Sequence, residues 1–246
     1  YTIDLPGGWF LLGYLNQSIS STEDIMSPIS ENLVILKDYA GNVYWPMFDI
    51  ISLNTMEPGK GYSINTDQPL GFNYSEVESS RLSSQDEAFS SNYYNAPKNT
   101  GNNMVIGIPE NSWPISPKEG DEIVVYDQNG LVVGNNKYRD NGSYITIWGD
   151  DELTNEKDGL LVNEMFLMKL FRADTGIEEE LEVLFWAEGG GGYVINGISI
   201  VGSLLTTKIV EKQLIQVVDF LGRKSRKGHD NSIQLHIYDD GSVEKK

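Results

Sequence analysis

The chain has 246 residues, enough for one large β domain or two smaller ones, and its 36 acidic against 18 basic residues give a formal net charge of −18. A surface this acidic repels phosphate backbones and anionic membranes, which argues against nucleic-acid binding. The absence of cysteine excludes disulfides, thiolate metal sites and cysteine nucleophiles, and it leaves the compartment open.

The acidic residues are unevenly spread along the chain. Residues 206–246 contain eight Lys or Arg and six Asp or Glu, so thirty acidic and only ten basic residues lie before residue 206. Two interpretations of this excess stay open, solubility and the binding of cations or basic partners. No stretch approaches the ~20 consecutive apolar residues that a membrane-spanning helix needs. Tyr1 opens directly into strand-like sequence, which predicts a mature chain or the ordered part of a longer one.

Residues 1–74 are predicted to form a small β-rich module. A glycine-punctuated apolar strand opens it, and the segment SSTED at 20–24 is typical of a helix start. Pro28 is expected to keep that helix short, because proline removes a backbone donor and clashes with the preceding turn. The apolar runs 33–36 and 43–45 flank the turn-rich segment DYAGN, which predicts a β-hairpin.

Three motifs in this module, GWFLLGY, VILKDYAGNVYWP and LNTMEPGKGYSI, carry a resemblance. In this order they resemble a small β-rich accessory unit that is repeated in secreted and surface-anchored proteins of Bacteroidetes. Trp9, Trp45 and Tyr62 lie within these motifs and have two interpretations. They form either a platform on which a polysaccharide stacks or aromatic anchors of the core and turns.

Residues 75–100 change the composition of the chain. They are rich in Ser, Asn and charged residues and poor in aliphatic ones, which predicts a linker or a long surface connection. Tyr93 and Tyr94 are candidates for anchoring this connection on a neighbouring domain.

Residues 101–205 are predicted to form a β-sandwich of two packed antiparallel sheets. Short apolar runs are separated by turns rich in Gly, Asn and Asp, without an amphipathic helix between them; the predicted strands are 104–108, 122–126, 131–134, 144–148, 165–171, 180–186 and 193–200. Asn129-Gly130 suits a hairpin turn because both residues accept positive φ. The glycine run at 189–192 predicts a flexible hairpin tip.

The sandwich and the end of the chain carry two further resemblances. The segments GDEIVVYDQNGLVVG, TIWGDDELTNEKDGL, MKLFRADTG and YVINGISI resemble a β-sandwich module that precedes the C-terminal sorting signal of Bacteroidetes secreted proteins, and this resemblance implies no enzymatic activity. The segments LIQVVDFLGR and IYDDGSVEKK resemble the C-terminal domain that the type IX secretion system recognises. The resemblance implies a short β domain over 206–246 and a sorting motif made of Asp219, Gly222, Arg223, Tyr238, Asp239, Asp240, Gly241, Lys245 and Lys246.

The acidic loop at 149–159 is the strongest candidate for a bound ion. Asp150, Asp151, Asn155 and Asp158 offer the oxygen ligands that calcium takes, although their spacing is not that of an EF-hand. The alternative is an acidic surface loop whose side chains cap their own turns. A structural role is expected for both histidines, His229 and His236, which lie in the tail.

No catalytic constellation stands out in the sequence. Chemistry that pairs a cysteine or serine nucleophile with histidine is excluded from the body of the chain, because cysteine is absent and histidine is confined to the tail. A pair of carboxylates of the glycosidase type stays open, since acids are plentiful. The basic run GRKSRKG at 222–228 is either a solvated loop or a contact with the acidic body of another copy.

These observations together predict a secreted, non-catalytic, all-β surface protein with a structural or adhesive role. The expected partners are the secretion machinery of the outer membrane and identical chains in a homo-oligomer or filament. The alternative is a carbohydrate-binding accessory region of a larger secreted hydrolase, with polysaccharide as the ligand. No cofactor is expected apart from calcium.

Overall fold

The protein is seen here as a computed structural model that describes residues 2–74, 91–140, 142–208, 214–219, 234–238 and 243–245. The predicted all-β class is confirmed, because strands dominate the described residues and the helices are short. Residues 1–207 form one compact unit and residues 208–246 a second.

The N-terminal part of the first unit is built from ten short elements and two 3₁₀ turns. The strands are β1 (Ile3–Leu5), β2 (Gly8–Gly13), β3 (Ser20–Ser21), β4 (Leu33–Lys37), β5 (Val43–Trp45), β6 (Ile50–Ile51), β7 (Thr55–Met56), β8 (Gly61–Thr66) and β9 (Leu70–Phe72), the helix is α1 (Thr22–Met26), and the 3₁₀ turns are Ser27–Ile29 and Pro46–Phe48. One antiparallel sheet has the order β2-β8-β4-β5-β6, and β1-β9 and β3-β7 form two small antiparallel pairs.

The predicted short helix is confirmed as α1. The hydroxyl of Ser21 accepts a hydrogen bond from the N–H of Asp24, which satisfies one of the free donors of the first turn. Pro28 lies in the 3₁₀ turn that follows directly, so the α-helix ends before it as expected.

The predicted hairpin of β4 and β5 is also confirmed. Its turn is held by Asp38, whose carboxylate accepts hydrogen bonds from the backbone N–H and the side-chain amide of Asn42, both at 2.8 Å. Gly41 takes φ of 91°, a conformation that favours glycine. Local turn chemistry therefore fixes this hairpin.

The second part of the first unit is a seven-stranded sheet. Its strands are β10 (Asn103–Ile108), β11 (Glu122–Tyr126), β12 (Val132–Lys137), β13 (Ser143–Trp148), β14 (Leu167–Arg172), β15 (Ile177–Glu188) and β16 (Ile198–Lys208), with a 3₁₀ turn at Glu110–Ser112. The order is β12-β11-β14-β15-β16-β10-β13, and β10 and β16 run parallel. The sheet is therefore mixed.

The seven strands surround one hydrophobic cluster, to which every strand contributes. The two edge strands pack closely: a Cβ added to Gly134 of β12 would lie 2.7 Å from the carbonyl oxygen of Thr146 on β13. The sheet thus curls around its core, and its opposite parts face each other as the layers of a sandwich do.

The predicted hairpin of β11 and β12 is confirmed, and its turn repeats the chemistry of the first hairpin. The Oδ1 atom of Asp127 accepts hydrogen bonds from the N–H groups of Asn129 and Leu131, both at 2.8 Å. Gly130 has φ of 88°. A register shift between Val125 and Tyr126 marks a bulge at the end of β11.

The glycine run at 189–192 is not the free hairpin tip that its composition predicts. Tyr193 exchanges backbone hydrogen bonds with the opposite segment: its N–H donates to Glu164 at 2.9 Å and its carbonyl accepts from Asn163 at 2.8 Å. The N–H of Phe166 donates to Gly191 at 3.3 Å. The strand predicted from Tyr193 is found as β16, which begins at Ile198.

A further hydrophobic cluster joins the two sheets inside the first unit. The indole of Trp45 is 1% exposed and packs on Gly107 of β10, where an added Cβ would lie 2.8 Å from its Cζ3 atom. Thr146 donates a hydrogen bond to the carbonyl of Gly41 at 2.7 Å. The segments 1–74 and 101–205 therefore lie in one compact unit with a continuous interior.

The segment 91–100 is tied to the seven-stranded sheet. The fully buried Glu122 accepts hydrogen bonds from the hydroxyl of Ser91 and, at 2.7 Å, from the N–H of Asn92. Tyr93 and Tyr94 contact the ring of Phe171, with centroid distances of 4.2 and 5.9 Å. Tyr93 and Tyr94 thus anchor this part of the connection.

The second unit contains a small antiparallel sheet in its described residues. The strands are β17 (Leu214–Asp219), β18 (Gln234–Tyr238) and β19 (Val243–Lys245), in the order β17-β18-β19.

Candidate functional site

The acidic loop at 149–159 uses its carboxylates to hold its own backbone. Asp150 accepts a hydrogen bond from the N–H of Asp158 at 2.8 Å, and Asp158 accepts one from the N–H of Asp151 at 3.0 Å. Asp158 also pairs with Lys98, which holds the pKa of that carboxyl below its usual range. Asn155 is exposed. The bonds of Asp150 and Asp158 tie the two ends of the loop together, and only Asp151 forms an Asx turn, in which its carboxylate accepts from the N–H of Leu153 at 3.0 Å.

The loop does not gather its carboxylates around one point. Across the described ranges, no group of three or more His, Asp or Glu side chains is arranged to hold a metal ion. His236 lies on β18, where it pairs with Val217 and Glu244, and His229 lies outside the described residues. Calcium at this loop stays a prediction from the sequence.

The three aromatic residues singled out in the sequence occupy different environments. Trp45 and Tyr62 are 1% and 2% exposed, so neither ring offers a face to a sugar; both are core residues. Trp9 is half-buried, and the Nζ atom of Lys37 lies 4.4 Å from its ring centroid. The three rings therefore do not form a common stacking platform.

Part of the proposed sorting motif is described. Asp219 ends β17, Tyr238 ends β18, and Lys245 ends β19, where it pairs with Leu235. The hydroxyl of Tyr238 donates a hydrogen bond to Glu244 at 3.0 Å. The other motif residues lie outside the described residues: Gly222, Arg223, Asp239, Asp240, Gly241 and Lys246.

The structure reveals a pocket of about 330 Å³ that the sequence did not indicate. Strands β14 and β15 and the segment before β14 form it, and most of its lining is apolar: Met165, Phe166, Leu167, Met168, Leu181, Val183 and Trp186, together with Lys169, Glu180, Glu182, Gly191 and Thr207. We call it the β14–β15 pocket. Its volume lies at the lower end of the range of small-molecule sites, and it suits a side chain or a short aliphatic group.

The floor of the pocket is continuous with the main core. Phe166, Met168 and Leu181 are members of the large cluster and are 8%, 5% and 5% exposed. Trp186 meets Phe166 edge to face, with ring centroids 6.1 Å apart. The mouth is more accessible, because Met165 and Leu167 are 57% and 49% exposed.

The charge at the mouth of the pocket is acidic. Lys169, the one basic residue among the described lining, is paired with Glu178 at 2.7 Å. Burial opposes ionisation of Glu178, but hydrogen bonds from Lys169, Tyr126 and Tyr94 hold its pKa below the usual range. Since the charges of Lys169 and Glu178 cancel, the carboxylates of Glu180 and Glu182 make the net charge at the mouth negative. The pocket therefore favours an apolar group flanked by positive charge.

Further apolar side chains are exposed on β15 next to the pocket. Leu184 and Phe185 are 58% and 57% exposed. The ring of Phe185 lies over Gly202 of β16, where an added Cβ would be 2.0 Å from its Cε1 atom. Because successive side chains of a strand point to opposite faces, Leu184 and Phe185 add exposed apolar surface on both faces of β15 rather than one patch.

One sequence signal points to this surface in retrospect. The run LEVLFWAE in β15 does not alternate strictly between apolar and polar residues, so it places apolar side chains on both faces of the strand. A continuous apolar run also fits a strand buried on both faces, so the sequence alone does not distinguish a binding surface from a core.

Comparison of the chain with protein-family models, with curated proteins and with solved structures found no significant match. Within the described part of the chain, none of the helices has the length and apolar character needed to cross a bilayer.

Proposed function

We propose that this chain is a secreted, non-catalytic structural or adhesive protein of the cell surface or extracellular space, exported by a type IX-like pathway. The observation that carries the proposal is the β14–β15 pocket, an apolar site with exposed apolar neighbours on a strongly acidic body. Such a site suits the docking of a partner's apolar side chain better than it suits catalysis. The described residues of its lining offer apolar contact area but no nucleophile paired with a base.

The export route is supported by the sequence of the second unit. Its segments resemble the C-terminal domain read by type IX secretion, and that resemblance implies a small β structure. The described residues of β17, β18 and β19 form a small antiparallel sheet, which is compatible with that expectation. The partner on this route would be the secretion machinery of the outer membrane.

The partner at the pocket would be a second copy of this chain. The residues before 206 are strongly acidic, whereas residues 206–246 carry more basic than acidic residues, so one copy offers both signs of charge. Head-to-tail contacts of this kind produce rings or filaments. The alternative of a carbohydrate-binding accessory region has less support, because Trp45 and Tyr62 are buried.

The test compares assembly of the full chain with assembly of two matched variants. Leu167→Lys places a charge at the mouth of the pocket, and Leu153→Lys makes the same change at a residue that is 94% exposed in the acidic loop. We expect the wild type and Leu153→Lys to form oligomers in light scattering and negative-stain electron microscopy. Leu167→Lys is expected to stay monomeric.

Two outcomes would contradict the proposal. A wild-type chain that stays monomeric at all concentrations would rule out self-assembly. Equal assembly of Leu167→Lys and wild type would show that the pocket is not the contact. In either case a glycan-binding screen of the same samples would then test the accessory-region alternative.

A further inference from the structure

Lys37 is a buried amine that forms no ion pair with a carboxylate among the described residues, and the proposed function does not use it. It is the last residue of β4, is 2% exposed, and lies at the junction of the two sheets of the first unit. Its Nζ atom donates a hydrogen bond of 2.7 Å to the Oδ1 atom of Asn103, the first residue of β10. Asn103 is itself buried, at 7% exposure.

Two opposing effects act on the charge of this amine: burial disfavours the ammonium form, whereas the face of the Trp9 indole attracts it. The indole of Trp9 covers the Nζ atom at 4.4 Å from its centroid, and burial lowers the pKa of Lys37 to about 8. Desolvation disfavours the ammonium form, so a minor fraction of the Lys37 side chains is neutral near physiological pH. A neutral amine is a nucleophile, whereas an ammonium is not.

The side-chain amide of Asn103 lies within reach of the Lys37 Nζ atom. The carbonyl carbon of Asn103 is one bond away from the oxygen that Nζ contacts, and both side chains extend from the ends of strands fixed in separate sheets. Holding two groups at contact distance in a site with little water replaces a bimolecular encounter by an intramolecular one, which accounts for very large rate gains in model reactions.

We propose that Lys37 and Asn103 form an intramolecular isopeptide bond that links β4 to β10. Rotation of the Asn103 side chain turns the face of its carbonyl carbon toward Nζ, which attacks it. The Nζ–Cγ bond forms, the Cγ–Nδ2 bond breaks, and the departing amide nitrogen takes a proton from Nζ. The products are a secondary amide and one molecule of ammonia, so the step needs no oxidant, reductant or further reactant.

The bond would have a clear structural effect. It would close a covalent loop between residues 37 and 103 and join the two sheets through the junction that Trp9 covers. A covalent link that closes a long loop restricts the unfolded chain and resists mechanical separation of the parts it connects. This inference does not depend on the function of the β14–β15 pocket.

The test is the intact mass of the full chain, measured under denaturing conditions after incubation at pH 9, where the Lys37 amine is mostly neutral. We expect the wild-type mass to be lower than the sequence mass by one ammonia. Digestion followed by tandem mass spectrometry should then yield one branched peptide that contains both residues 37 and 103.

Three variants distinguish this bond from other losses of ammonia, such as cyclisation of another asparagine. Lys37→Met and Asn103→Ala should both have their full sequence masses. Lys60→Met, which alters a lysine whose side chain is 53% exposed, should keep the deficit. A wild-type chain of full mass would overturn the proposal whether or not the variants fold, and so would a deficit that persists in Lys37→Met.

Discussion

The contact between Gly107 and Trp45 gives the sharpest test of how the two sheets are joined. Gly107 is buried in β10, between β13 and β16, and pairs with Tyr144 and Ile200. A Cβ added to it would lie 2.8 Å from Cζ3 and 3.1 Å from Cη2 of Trp45. Gly107→Ala therefore inserts one methyl group into a contact without space for it.

The change in unfolding free energy expected for Gly107→Ala is the balance of two opposing effects. Overpacking a dense core by a methyl group costs about 1–3 kcal/mol, because neighbouring side chains leave their preferred rotamers. Alanine also gains roughly 0.5–1 kcal/mol over glycine in a strand, because the unfolded chain loses flexibility. The expected net loss in unfolding free energy is about 1–2 kcal/mol, which for a unit of this size lowers Tm by roughly 2–8 °C.

The assay is thermal unfolding followed by circular dichroism, with Gly13→Ala as the matched control. Gly13 also lies in a strand and has no heavy atom within 4 Å of an added Cβ. Its Tm should therefore stay the same or rise slightly. Trp45→Phe removes the ring atoms that the new methyl group meets, so the double variant should lose less stability than the sum of the single variants.

A rise in Tm for Gly107→Ala equal to that of the control would refute the reasoning. It would mean that Trp45 does not pack on β10 and that the N-terminal sheet is not joined to the seven-stranded sheet in this way. The same conclusion would follow if the stability loss of the Gly107→Ala/Trp45→Phe double variant equalled the sum of the losses in the two single variants.

Two further predictions concern the buried carboxylates. Asp127→Asn weakens the hairpin turn and its contact with Lys157, so we expect a loss of about 1–3 kcal/mol at pH 7. Burial opposes ionisation of Asp127, but Lys157 and the turn N–H groups lower its pKa to about 2; the stabilisation is therefore present above about pH 4 and is lost as pH falls to about 2. Denaturant titrations across that range should show a steeper loss of unfolding free energy in the wild type than in Asp127→Asn, which keeps the other paired carboxylates, and equal slopes would argue against it. Glu122→Ala removes the acceptor for Ser91 and Asn92, so limited proteolysis at 91–100 should become faster than in the exposed control Glu119→Ala, and equal rates would contradict this docking.

Much of the β structure was predictable because its signals are local. The turn residues Asp38, Gly41, Asp127 and Gly130 mark two hairpins, and Ser21 and Pro28 mark the ends of one short helix. Each signal acts through hydrogen bonds or steric limits within a few residues. These features therefore follow from the sequence without knowledge of the fold.

The glycine run at 189–192 shows where local reasoning fails. Its composition is typical of a flexible tip, but neighbouring Tyr193 pairs with a segment about thirty residues earlier in the chain. The acidic loop is similar in one respect, since its composition suits an ion but Asp158 pairs with Lys98, 60 residues earlier in the chain. Which partner a backbone or carboxylate finds depends on segments that are distant in sequence.

The sequence by itself determined the strand content, the main turns and the acidic character of the body, because composition and short-range patterning suffice for these. Only the tertiary structure decided that Trp45 and Tyr62 are buried, that β14 and β15 form an apolar pocket, and that Lys37 meets Asn103. Each of these depends on residues far apart in the chain that become neighbours when the strands pair and pack. Sequence spacing does not encode that proximity.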